Sequence, residues 1–120
     1  MNKIFLIGNL TRDPEIRKTP SGKTVCSFNI AVNRRRKVEG QPDADFFRVS
    51  VWEQQAENCA KYLEKGKKVS VIGSVSSRAF VGDDGVARAQ MEVSAQDVEF
   101  LSPRDGFASV DDPDNPFASR

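Results

Sequence analysis

The stretch that most constrains the fold is Asp45-Phe46-Phe47-Arg48-Val49-Ser50-Val51-Trp52. It is rich in aromatic and β-branched residues and free of Gly and Pro, which predicts a β-strand. Strand alternation sends Phe47, Val49 and Val51 to one face, apolar enough for a core. Phe46, Arg48, Ser50 and Trp52 fall on the other face. Two rings beside a guanidinium and a hydroxyl are a poor surface for water alone. They are also a poor core, because a buried Arg48 would have no visible partner. Two arrangements reconcile them. In one, a single strand of nucleic acid stacks its bases on the rings and sets its phosphates on Arg48. In the other, the face packs under a second apolar layer and Arg48 reaches past it to solvent.

The rest of the chain supplies the other strands. Asn2 to Leu10 has Ile4, Leu6 and Leu10 on one face and Phe5 and Ile7 on the other. That predicts a strand buried on both sides or packed against another subunit, with Gly8 at a bulge or a close backbone approach. Thr11-Arg12-Asp13-Pro14 is a turn, Glu15 to Thr19 a short edge segment, and Pro20-Ser21-Gly22 a second turn. Thr24 to Asn33 alternates cleanly, with Cys26, Phe28, Ile30 and Val32 toward the core. Residues 34 to 44, which begin Arg34-Arg35-Arg36-Lys37, have no periodicity and read as a mobile loop. Four consecutive cations are either a solvated loop or a phosphate-binding one.

After Trp52 the period changes. Ala56, Cys59, Ala60 and Leu63 mark one face of a short helix, with Gly66 as its stop. Val69 to Val81 returns to strand and carries Arg78 and Phe80 on one side. Gly82-Asp83-Asp84-Gly85 is a hairpin loop. Val86 to Leu101 is the last strand, and its apolar parity switches at Gln96-Asp97, which predicts a bulge. A short helix between the third and fourth of five strands is the order of the OB-fold, a five-stranded Greek-key barrel whose strand 2–3 face binds oligonucleotides or oligosaccharides. The fold class is therefore all-β, and the aromatic face lies where such a barrel binds.

Composition narrows the function. A chain of 120 residues has no run long enough to span a bilayer and no signal-peptide pattern at its start. With no His, and with Cys26 and Cys59 far apart, neither a metal site nor a cofactor is expected, and the thiols read as reduced core residues of a cytoplasmic protein. The net charge of +1 divides into +4 over residues 1–104 and −3 over residues 105–120. Residues 1–103 form the predicted domain. Residues 104–120 form a short acidic tail, without hydrophobic periodicity and predicted to be disordered.

These residues resemble the bacterial and phage single-stranded DNA-binding protein family. The resemblance rests on Asn2 through Leu10 with Asp13-Pro14-Glu15, on Phe28 through Asn33, on Phe46 through Trp52, on Gln55 through Leu63 with Lys65-Gly66, and on Ile72-Gly73 and Asp84-Gly85. It covers residues 1 to about 102. It implies an OB-fold that assembles as a homotetramer and coats single-stranded DNA without sequence preference, close to the nucleoid. Phe46, Trp52 and Phe80 fall on three base-stacking positions of the family. A fourth, in the loop after the second long strand, is held here by Arg36, whose guanidinium can also stack on a base. Arg34, Arg35, Lys37, Arg48, Arg78 and Lys3 complete the expected DNA-binding set. The tail resembles the family's acidic tip, which docks replication and repair proteins. Asp111, Asp112 and Asp114 would supply charge, and Pro116 and Phe117 the apolar anchor. Asn115 stands where the family has an apolar residue, and Ala118-Ser119-Arg120 follow the Phe.

Two other readings compete with a DNA coat. A related OB module could serve replication restart or subunit docking with weak DNA affinity. An enzyme such as a nuclease lacks a His for general-base work, and Asp83-Asp84 is better explained by turn chemistry.

Overall fold

Residues 1–102 are described from a computed structural model. The tail residues Asp111, Asp112, Asp114, Pro116 and Phe117 lie outside the described residues. The elements run β1 (Ile4–Leu10), β2 (Glu15–Lys18), β3 (Thr24–Asn33), β4 (Ala44–Trp52), α1 (Glu53–Tyr62), β5 (Lys68–Val81) and β6 (Ala87–Phe100). The five long strands predicted are all present, and the edge segment adds the four-residue β2.

Neighbouring strands follow the order β1-β5-β6-β4-β3. The ring closes where Asn9 and Leu10 of β1 pair with Ala31 and Ile30 of β3. β2 takes the first half of the same β3 edge, from Glu15 opposite Ser27 to Lys18 opposite Thr24. Among the described residues only the β4–β6 pair is parallel. This closed ring, with α1 between β4 and β5, is the OB-fold layout that the order of elements predicts.

The inward face of each strand is the apolar parity read from the sequence. Ile30, Val49, Val51, Val69 and Val71 are fully buried. Ala56, Cys59 and Leu63 bring one face of α1 into the same cluster. At the closing seam Gly8 is required by contact rather than by backbone angle. A Cβ there would lie 2.6 Å from the carbonyl oxygen of Ala31. The parity switch in β6 is the expected bulge: Ile72 faces Asp97 and Gly73 faces Ala95, which leaves Gln96 without an opposite residue.

One expectation changes. The helix ends at Tyr62, and not at Gly66. Leu63 leaves it with extended backbone (φ −94, ψ 148) while its N–H still donates to Cys59 O. Burial of the Leu63 side chain accompanies this exit. Gly66 sits in the turn beyond, where its N–H donates to Leu10 O at 2.9 Å. The cation in the last helical turn is Lys61. Of the two arrangements predicted for β1, burial on both sides within one chain is not found. The outer face of β1 is bare in the single chain, with Phe5 67% and Ile7 54% exposed.

Cys26 and Cys59 are free and buried. Burial pushes the Cys26 thiol from 9.0 up to about 11. It pushes Cys59 up to about 12, with a smaller contribution from the neighbouring Cys26. Both thiols thus stay protonated at neutral pH and act as small apolar core groups.

Candidate nucleic-acid interface

β3 and β4 place Ala31 opposite Phe46, Asn29 opposite Arg48, and Ser27 opposite Ser50. Residues directly opposite share a face, so the polar face of β4 continues onto β3. Among the described residues no apolar layer seals off its rings: Phe46 is 60% and Trp52 41% exposed. At about 3.3 Å per residue the two rings stand roughly 20 Å apart along one strand. Of the two arrangements open to this face, the one that leaves it available to a ligand is the one found.

Arg48 and Ser50 open onto a groove of about 470 Å³. Its walls are Arg17 from β2, Ser27 from β3, Arg78 and Phe80 from β5, and Gln90 and Glu92 from β6. The fold thus gathers Arg48 with Arg78 and Phe80, which lie 30 and 32 residues further along the sequence. Phe80 is 40% exposed beside them. Arg17 was missed by sequence reasoning. The four-residue edge strand that carries it has no aromatic residue and mixes both signs of charge, and only its pairing with β3 turns it toward the groove.

Arg48 is half-buried and forms no hydrogen bond or ion pair among the described residues. Beside it, Asn29 has a buried Oδ1 with no partner. A buried acceptor left unsatisfied costs about 1–3 kcal/mol, and such groups are matched when a ligand supplies the donors. Arg78 lies 3.7 Å from Glu92, and its side chain is 71% exposed.

The basic loop divides into two kinds of cation. Arg34 is committed to the fold: Nε and Nη2 donate to Asp45 Oδ1 at 3.1 and 2.7 Å, and Nη1 donates to Gln41 Oε1 at 3.1 Å. It clasps the two ends of the loop, and its backbone N–H donates to Asp43 O. Lys37 makes only a 4.0 Å contact with Asp43. Arg35 and Arg36 are exposed, with no side-chain partner among the described residues. Lys3 donates to Gln96 at the β6 bulge, and is not brought together with Arg48, Arg78 and Phe80.

The hairpin carboxylates have turn roles. Asp84 accepts from Arg88 at 2.6 and 3.1 Å and from the Val86 N–H at 3.1 Å. The Arg88 hydrogen bond, and after it the Val86 N–H, holds the Asp84 carboxyl below the usual carboxylate range. Among the described residues no helix is long and apolar enough to cross a membrane.

Comparison with known proteins agrees with this geometry. The single-strand binding protein family matches residues 1–101. Single-stranded DNA-binding protein 3 of Clostridium acetobutylicum is 48% identical over 102 residues, which is 84% of this chain and 71% of that protein. The single-stranded DNA-binding protein of Bacillus cereus is 44% identical over 107 residues, 88% of this chain and 63% of its own. That of Halalkalibacterium halodurans is 41% identical over 126 residues, 97% of this chain and 75% of its own. The match runs through the whole barrel, from the closing strand β1 to the end of β6, and spans every position that lines the groove. By fold, groove and sequence alike, the chain belongs to the single-strand binding protein family.

Proposed function

We propose that this chain binds and protects single-stranded DNA during replication, recombination and repair, as a non-catalytic coat protein of the cytoplasm. One observation carries the reading. An unpartnered, half-buried Arg48 opens onto a groove that also holds Phe80, on a strand face with exposed rings at both ends. Bases stack on the rings and phosphates meet the cations, neither of which depends on sequence. Trp52 is the only Trp, so its emission should be quenched as oligo-dT is added. A saturating titration with unchanged emission would place Trp52 outside the DNA-binding face.

Salt separates the loop cations. Each phosphate neutralised on a single strand adds about 0.7 to the log–log salt slope. Arg34 is already engaged with Asp45, so only Arg35 and Arg36 are free to meet phosphate from the start of the loop. Arg35→Ala/Arg36→Ala should flatten the slope by about 1.4. An unchanged slope would make the run a solvated loop.

The bare Phe5 and Ile7 face supports assembly of copies through β1, in line with a homotetramer, which light scattering would measure. The acidic segment from Asp111 to Phe117 is suited to dock replication and repair proteins, with Phe117 as anchor and the carboxylates facing a basic pocket. A chain ending at Pro103 should keep its fold and its DNA binding but lose those proteins in a pull-down. Equal recovery with and without the tail would remove the docking role.

A further inference from the structure

The groove contains one group that a polyanion should not welcome. Glu92 puts a carboxylate among Arg17, Arg48 and Arg78. If phosphate were the only ligand, that carboxylate would weaken binding by repulsion and by occupying Arg78. Its placement suits a different contact. Across the sheet Asn29 stands opposite Arg48, and Arg48 opposite Glu92. The row reads acceptor, donor, acceptor: an unpartnered buried Asn29 Oδ1, an unpaired guanidinium, and a carboxylate. Arg48 and Glu92 are neighbours and yet form no ion pair. Glu92 has only the 3.7 Å contact with Arg78, with its side chain 34% exposed. Phe80 and the Ser27, Ser50 and Gln90 side chains complete a pocket large enough for a base.

We infer that Glu92, together with Arg48, reads the hydrogen-bonding edge of one bound base and favours a base with an exocyclic amino group over thymine. This rests on the DNA-binding reading of the same groove. Cytosine and adenine set an amino donor beside a ring-nitrogen acceptor, so the amine can donate to the Glu92 carboxylate while Arg48 donates to the ring nitrogen. Thymine can donate its one N–H to the carboxylate while a carbonyl accepts from Arg48, but that N–H lies between two carbonyl oxygens, so one of them is held beside the carboxylate and weakens the contact. The result is a modest bias laid over sequence-tolerant stacking, and it explains why an acid is stable in a groove built for an acid.

Cytosine and thymine have the same ring size, so oligo-dC and oligo-dT of equal length compare edges at matched stacking area. The full chain and its Glu92→Gln variant would be titrated with both, at mildly alkaline pH and at a salt concentration where binding is reversible. Glutamine keeps the shape but can donate to a thymine carbonyl. The dC-to-dT affinity ratio should fall about three- to tenfold, the range for one partly exposed charge-assisted hydrogen bond. Arg78→Gln, which frees Glu92 from its contact, should weaken binding of both oligonucleotides and retain the ratio. An equal gain for dC and dT in Glu92→Gln would overturn the inference and leave Glu92 as a restraint on Arg78. Loss of the ratio in Arg78→Gln would overturn it too. If the unaltered chain bound neither oligonucleotide, the DNA-binding reading itself would fail.

Discussion

Replacing Trp52 and Phe80 together by Ala should lower affinity for single-stranded DNA by about 2–6 kcal/mol, roughly 30-fold to more than 10,000-fold. Each ring contributes about 1–3 kcal/mol when a base stacks on it. The two sit on different strands, β4 and β5, so their losses should nearly add. Their exposure, 41% and 40%, makes the change one of binding rather than of folding, since neither ring supplies the buried core. Thermal midpoints of the single variants should therefore stay close to that of the original chain. The double loss should also exceed that from Arg35→Ala/Arg36→Ala at physiological salt, because exposed cations are screened within about 8 Å and stacked rings are not. Equal losses from the two pairs would assign most of the affinity to charge. A fall in thermal midpoint that tracks the fall in affinity would assign the rings to the fold.

The barrel was legible because its inward positions repeat with period two and its helix with period near 3.6. Val49, Val51, Val69 and Val71 could be placed from alternation alone, and the β6 bulge from a change of parity. The polar and aromatic face of β4 was legible for the same reason: Phe46, Arg48 and Trp52 interrupt an otherwise apolar pattern on alternate residues. What escaped was whatever depends on pairing between distant strands. Arg17 looks like any edge cation until β2 lies against β3. Glu92 looks like a solvent-facing acid until β6 lies against β4. Arg34 looks like the first of four equivalent cations, but its hydrogen bonds to Asp45 and Gln41 make it a clasp. The helix stop was misplaced because Gly66 is a strong local signal. The buried Leu63 had already left the helix three residues earlier.

The same dependence on distant pairing governs Gly73. Its backbone angle would admit any residue, so the sequence alone gives no reason for a glycine there. In the fold it lies at the β5–β6 bulge, opposite Ala95. A Cβ on Gly73 would overlap the Ser94 carbonyl oxygen and lie 2.9 Å from the Ala95 Cα. Both obstacles are backbone, held in place by the flanking ladder, so no side-chain rotation can relieve them. Overpacking of this kind costs about 1–3 kcal/mol, and rigid backbone puts Gly73→Ala at the upper end. The opposing gain, from a less flexible unfolded chain, is only about 0.4–1 kcal/mol, so destabilisation wins. For a domain of about 100 residues the net loss should lower the thermal midpoint by about 8–16 °C. Ser76→Ala, at an exposed position on the same strand, should change stability by less than about 0.5 kcal/mol. Ser94 also pairs with Ser50 of β4. A ladder displaced at Gly73 would therefore shift the strand that carries Arg48, and DNA affinity should fall in Gly73→Ala even well below its midpoint. An unchanged midpoint would show that β5 and β6 can part at the bulge without loss. A lowered midpoint with full affinity in the cold would show that the groove is insulated from it.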